Sequence, residues 1–331
     1  MNAGKWIKST ALVAAAGVLL TGCGLSSAGS YVPPAGQGSI SPLPNLPGNP
    51  TMTVTSKSFT EQLILGKIAV LAGQAAGFKV NDLTGVPGSQ PARELLVSGQ
   101  ASVLWEYTGT AWLTYLGHET GIADQSEQWQ VVHDQDLEEN GILWGKPAPM
   151  NNTYAMAVRS EAVEDLGGIS KLSELKDLDP KDLTFCVDAE FNSRADGLNP
   201  MLELYGLERG NPKSVPDTNV GLYDTGAIYS ATDNGACNFG EVFTTDGRIK
   251  ALDLTVLEDD LGYFPAYNVS PVFFGEFSDK YPGIEDVFAK IAPLLTDEAL
   301  QEMNLEVDVN GREPADVAFE WMVAEGFITE P

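Results

Sequence analysis

The chain has 331 residues, 19 Lys+Arg against 46 Asp+Glu, and a formal net charge of −27. That balance excludes a nucleic-acid binder, which needs a basic footprint, and it suits a cationic or zwitterionic small ligand better than an anionic one. Only two histidines exist, His118 and His133, so His-rich metal chemistry is not expected; the sequence is read as having no metal site and no cofactor.

The N-terminus reads as a targeting segment over residues 1–22. Lys5 and Lys8 precede an apolar run, Ala11 to Leu20, too short to span a bilayer. Leu20-Thr21-Gly22-Cys23 resembles a bacterial lipobox. The resemblance implies cleavage before Cys23 and a lipid on its thiol, which places the protein outside the cytoplasmic membrane and tied to it. Residues 23–50 are rich in Pro, Gly and Ser and carry no charge, so they read as a tether that cannot bury enough apolar surface to order itself.

The body, 51–331, alternates strands and helices. Met52–Ser56 reads as a strand, and Ser58-Phe-Thr-Glu61 as a capping box opening a helix through Leu63, Ile64, Ile68 and Leu71. Phe78–Leu83 is a strand, Gln90–Val97 a helix, and Ser102–Tyr107 a third strand. A second unit begins near Thr153, with strands at Tyr154–Val158, Leu183–Val187 and Asn238–Phe243. The first pattern resumes after Asp260 with Pro271–Phe274 and three helices. The alternation predicts an α/β fold with largely parallel sheets. Acidic runs such as Asp136–Glu139 read as solvated faces.

No phosphate-binding glycine loop, dinucleotide fingerprint, nucleophile elbow or zinc-protease motif is present. With Cys23 taken by lipid, Cys186 and Cys237 remain; in an oxidising compartment such a pair is expected to form a disulfide.

What is left is a set of loop motifs at predicted strand ends, where open α/β sheets bind ligands. They are Ser56-Lys-Ser-Phe-Thr-Glu-Gln62, Glu106-Tyr-Thr-Gly-Thr110, Asn151-Asn-Thr-Tyr154, Thr244-Thr-Asp-Gly-Arg248 and Phe264-Pro-Ala-Tyr267. In this order, over about residues 52–328, they resemble the substrate-binding proteins of ABC importers for glycine betaine, carnitine, choline and related quaternary amines.

The resemblance implies a type II periplasmic-binding-protein fold: two α/β lobes joined by two crossing segments, with the ligand in the cleft between them. Lobe 1 would be 51–151 and 256–331, and lobe 2 would be 152–255. The crossings would fall near Asn151–Thr153 and Leu252–Leu257. It implies a receptor without catalytic activity, expected to be a monomer, that delivers a quaternary ammonium osmolyte to a permease. Carnitine or choline are alternative cargoes to glycine betaine. An extracellular hydrolase and a structural envelope lipoprotein are the alternatives of other classes. No nucleophile–base pair supports the first, and the second has no need of ordered cleft motifs.

A trimethylammonium group spreads its charge over methyls and donates no ordinary hydrogen bond, so aromatic faces suit it. The resemblance carries the cage onto Tyr107, Tyr154, Tyr229 and Tyr267, with Tyr223 as a rival to Tyr229. Gln62, Thr110 and Asn152 are expected to hold the ligand's polar end. Arg194 and Asp196 either order the cleft edge or form a plain loop salt bridge, and Asp246-Gly-Arg248 turns the chain after a lobe-2 strand.

Overall fold

Twelve strands fall into two five-stranded sheets and one small ribbon in the computed structural model, which describes residues 31–331 other than 45 and 123. The targeting segment and Cys23 lie outside the described residues. In chain order the strands are β1 (Gly36–Gln37), β2 (Thr51–Lys57), β3 (Lys79–Val86), β4 (Val103–Tyr107), β5 (Ile142–Trp144), β6 (Tyr154–Arg159), β7 (Phe185–Val187), β8 (Val220–Leu222), β9 (Phe239–Phe243), β10 (Leu254–Val256), β11 (Val269–Phe274) and β12 (Ile328–Thr329). The first sheet has the order β3-β2-β4-β11-β5 and the second β10-β6-β9-β7-β8. The chain passes from the first sheet to the second between β5 and β6 and returns between β10 and β11. Leu254–Val256 is therefore an edge strand of the second sheet rather than a crossing.

The α/β class stands, but the sheets are mixed rather than largely parallel. β2 runs parallel to β3 and β4, and β7 parallel to β8 and β9. β11 lies antiparallel to both β4 and β5, and β6 antiparallel to both β9 and β10. The strands that enter each sheet from the other run against their neighbours. Their N-terminal ends thus share an edge with the C-terminal ends of the parallel strands.

The helix Thr60–Ala75 is the spine of the first lobe. Its run from Leu63 to Leu71 leaves Ile64, Leu65, Ile68 and Leu71 fully buried. Each contributes about 1.5–3 kcal/mol. The helix packs on β2 and β3 and is covered by the helices Asp297–Asp308 and Pro314–Ala324. The expected capping box does not form. Phe59 is the N-cap residue and no side chain caps the end. Glu61 is instead fully turned inward, where it finds other donors, so Ser58 and Glu61 do not satisfy each other.

The segment read as a free tether is in part docked on this lobe. β1 pairs antiparallel with β12, Ile40 is fully buried in the first core, and Leu43 and Leu46 pack on it. The backbone is satisfied as well, Ser39 N–H donating to Gly326 O at 2.9 Å and Leu43 N–H to Ala76 O at 2.9 Å. The reason is that the surface is already built: a few apolar residues suffice when the C-terminal strand supplies the hydrogen bonds. A second correction concerns the acidic run Asp136–Glu139. Asp136 is fully buried, accepting from both terminal guanidinium nitrogens of Arg93 and from Trp144 Nε1 at 2.7 Å.

The second lobe builds its own core around Phe185, Phe191, Leu198, Met201 and Phe239. Cys186 in β7 and Cys237, just before β9, form a disulfide with Cα atoms 5.8 Å apart. Among the described residues no helix is long and apolar enough to cross a membrane.

Candidate ligand-binding site

The strand directions gather the site. Lys57 ends β2, Tyr107 ends β4, Asp188 follows β7 and Phe243 ends β9. Tyr154 starts β6 and lies directly across from Phe243 in the ladder, and Tyr267 stands two residues before β11, whose Val269 pairs with Tyr107. These ends meet around one cavity, with about 590 Å³ of unfilled space counting its mouth, lined by residues of both lobes.

One part of the lining is aromatic. Tyr107, Phe59, Phe243, Tyr154 and Tyr267 all face the cavity. Phe59 stacks on Phe243 with ring centres 5.2 Å apart and neighbours Tyr107 at 6.2 Å. Phe243 meets Tyr154 at 5.3 Å, and Tyr154 meets Tyr267 edge-on at 5.8 Å. Gly109 in the Glu106–Thr110 loop makes room for this. A β-carbon there would stand 2.6 Å from the Tyr267 ring. Gly88, at φ +85°, turns the chain at the cavity where a side chain would be strained.

The rings are held from behind. Tyr107 donates its hydroxyl to Glu61 Oε1 at 2.6 Å, and Tyr267 donates to Asp196. Asp196 is gripped by Arg194 through two 2.6 Å bonds, and the Arg194 guanidinium lies 5.4 Å from the centre of the Tyr154 ring. Arg194 and Asp196 thus order the cleft rather than forming a detached loop pair. Burial pushes all three phenols well above the ordinary tyrosine range, reinforced at Tyr107 by Glu61 and at Tyr267 by Asp196.

Glu61 is a hub. Besides Tyr107 it accepts from Asn152 Nδ2 at 2.9 Å, Thr245 Oγ1 at 2.5 Å and Asn304 Nδ2 at 3.2 Å. Its burial raises its carboxyl above the usual range despite these four donors. The rest of the cavity lining is polar: Lys57, Ser58, Ser89, Thr110, Asn152, Asp188, Glu190 and Thr225. Lys57 Nζ bonds Glu106 Oε1 at 2.6 Å and sits 4.8 Å from the Tyr107 ring centre. Glu190 reaches across from the second lobe to accept from both the backbone N–H and the hydroxyl of Ser89.

Of the residues singled out in the sequence, Tyr107, Thr110, Asn152, Tyr154 and Tyr267 come together here. Tyr229 does not, and its placement in the cage is corrected. It sits inside the helix Thr225–Asp233, facing its own sheet among Ala155, Ala157, Val242 and Leu254, with its hydroxyl accepting from Phe243 N at 3.0 Å. Its rival Tyr223 lines no part of the cavity either and is partly exposed. Gln62 is also corrected. It is fully buried framework, accepting from Lys57 N at 3.2 Å and donating to Trp105 O at 2.9 Å. Asp246 and Arg248 pair with each other, Arg248 lying 4.1 Å over the Tyr229 ring. Sequence reasoning missed Phe59 and Phe243, because it looked for tyrosines only, and Asp188 and Glu190, which follow a correctly placed strand end.

Two α/β lobes with a ring-lined cavity between them define a solute receptor of the periplasmic-binding-protein type. The profile of the family described as "Substrate binding domain of ABC-type glycine betaine transport system" matches residues 50–324. A glycine-betaine-binding protein of Pseudomonas aeruginosa is 37% identical over 279 residues, covering 82% of this chain and 87% of that protein. The ergothioneine transport permease/ergothioneine binding protein EgtU of Helicobacter pylori is 29% identical over 82% of this chain and 47% of its own length. A crystal structure of a glycine betaine/carnitine/choline ABC transporter protein superposes with a TM-score of 0.67 at 25% identity, covering 83% of this chain and 99% of that one. The chain belongs to this family of ABC-transporter substrate-binding proteins; it is a solute-binding protein and not an enzyme.

Proposed function

We propose that the protein is the extracytoplasmic receptor of an ABC importer for a quaternary ammonium compatible solute such as glycine betaine, anchored by lipid at Cys23 and handing its cargo to a membrane permease. The observation that carries this reading is the ring-lined part of the cavity. Tyr107, Tyr154, Tyr267, Phe59 and Phe243 offer π faces to one cavity. Each favourable cation–ring contact is worth about 0.5–2 kcal/mol, so three or four with polar help reach the roughly 8 kcal/mol of a micromolar complex. Thr110 and Asn152 stand in the same lining to meet the polar end.

Both lobes supply contacts to one cavity, so cargo stabilises the closed arrangement over any open one, and closure is the signal a permease reads. Similarity to an ergothioneine-binding relative supports a second cargo reading of the same receptor, a larger betaine. The test is thermal unfolding of the full chain with glycine betaine, choline, carnitine, proline betaine and ergothioneine. A cargo at a hundredfold excess over its Kd adds about 2.7 kcal/mol of stability. A shift with sugars or ordinary amino acids, and none with these five, overturns the reading.

A further inference from the structure

A quaternary ammonium explains the rings, and the acids beside them as counter-charge, but not the acceptor positions those acids leave open. Asp188 and Glu190 both line the cavity. Neither is fully used: an ionised carboxylate offers about four acceptor sites. Asp188 takes Phe191 N–H at 2.7 Å and the Thr225 hydroxyl at 2.8 Å. Glu190 takes the Ser89 N–H and hydroxyl and Arg194 Nη1 at 3.1 Å. With the Glu190 backbone N–H also directed at Asp188, each of the two carboxylates keeps about one open acceptor position.

The cations nearby are already committed. Lys57 is bonded to Glu106, and Arg194 to Asp196 and Glu190. Behind Asp188, Glu241 adds a further carboxyl whose Oε2 accepts the Asp188 N–H at 2.8 Å. A trimethylammonium group brings no N–H or O–H to these open acceptors. A cargo with nothing else to donate strips their water without replacing it, and a site built around polar groups discriminates most strongly against ligands that leave them unpaired.

We propose that Asp188, with Glu190 beside it, forms an acceptor subsite that selects cargoes bearing a hydrogen-bond donor, a hydroxyl or an N–H, in addition to the quaternary nitrogen. The proposal rests on the quaternary-amine reading above and narrows it: hydroxylated or N–H-bearing betaines and amino alcohols are favoured over betaines with no donor. Burial raises the Asp188 carboxyl above its ordinary range, whereas Lys57, Ser89 and Arg194 outweigh burial at Glu190 and hold its carboxyl below its own, so Asp188 is the group that a donor would relieve.

The experiment is calorimetric titration of the full chain, purified in mild detergent, with matched pairs. Choline is compared with its O-methyl ether, and carnitine with 4-trimethylammoniobutanoate, which lacks the hydroxyl. The donor-bearing member of at least one pair is expected to bind tenfold or more tightly. Asp188→Asn keeps the cap, since its amide oxygen accepts the Phe191 N–H, and is expected to shrink that preference to less than threefold, the loss of charge weakening both members of a pair alike. Equal affinity within both pairs, or a preference that Asp188→Asn leaves intact, overturns the proposal while the quaternary-amine reading stands. If no member of either pair binds, the cargo class itself falls and this subsite with it.

Discussion

Tyr107 and Tyr229 share every feature usually taken to mark a ligand-binding ring. They are 4% and 1% exposed. Burial pushes both phenols well up. Each carries a protein cation over its face, Lys57 at 4.8 Å and Arg248 at 4.1 Å. Yet only Tyr107 faces the cavity. What separates them is position in the fold. Tyr107 is the last residue of a central strand, so its ring stands where the sheet opens, whereas Tyr229 lies inside a helix and points back at the sheet that helix covers. Burial, a shifted phenol and a stacked cation are general properties of an aromatic residue in a polar-rich core; the end of a strand is not.

The comparison can be broken most forcefully from the Tyr229 side. The disulfide ties β7 to the segment that follows the Tyr229 helix, closing a loop of 51 residues. On the chain-entropy account, removing it with a Cys186→Ala/Cys237→Ala double substitution costs about 4 kcal/mol. Denaturant unfolding is expected to show that loss, while cargo Kd in the protein that remains folded moves less than about twofold. A large loss of affinity would mean that the Tyr229 side of lobe 2 contributes to the cage after all.

Single rings come next. Tyr229→Ala empties a closed core and is expected to cost about 3–5 kcal/mol of stability, read as a lower melting temperature without cargo, with affinity retained. Tyr107→Ala, Tyr154→Ala and Tyr267→Ala are each expected to weaken binding by about 1–2 kcal/mol, roughly tenfold. Tyr→Phe at the same positions keeps the ring and should cost less. Phe59→Ala and Phe243→Ala belong with the three tyrosines if they are cage walls. Should Tyr229→Ala match them in Kd, position at a strand end has no discriminating power here.

Much of this arrangement is written in the sequence. Strand ends at Tyr107 and Val187 follow from apolar runs stopped by polar loops, and the two-unit organisation from the resumption of the pattern after Asp260. Tyr229 could not be excluded by pattern alone, because a tyrosine inside an amphipathic helix reads the same whether its face meets a sheet or a cleft. The antiparallel entries of β6 and β11 were equally hidden. Strand polarity depends on which sheet the chain enters, and that is decided by pairings about 80 to 170 residues apart in the chain. Glu61 was misread as half of a local capping box because its real partners, Tyr107, Asn152, Thr245 and Asn304, are all distant in the chain.

That hub supplies the finest test of the contrast between the two tyrosines. The Tyr107 hydroxyl donates to a carboxylate, whereas the Tyr229 hydroxyl accepts from a backbone N–H. Only the first is tied to Glu61; the Tyr229 hydroxyl lies against Asp246 instead. Burial raises the Glu61 carboxyl in the folded protein, so between its unfolded and folded values the native state holds a proton that the unfolded chain has released. Stability therefore falls as pH rises through that window, by at most about 1.4 kcal/mol per pH unit for one proton, and levels off above the folded value. Asp188, Glu241 and Asp308 are raised in the same direction and contribute to the same slope. Glu61→Gln is expected to remove one share of it. Melting temperatures of wild type and Glu61→Gln should diverge most at mildly acidic pH and run parallel at neutral pH and above. Tyr107→Phe takes away a donor that lowers the Glu61 carboxyl, so it should move the wild-type falling limb to higher pH; Tyr229→Phe should leave that limb where it is. If both phenylalanine variants displace the limb equally, the tie between Tyr107 and Glu61 is not what distinguishes the two rings.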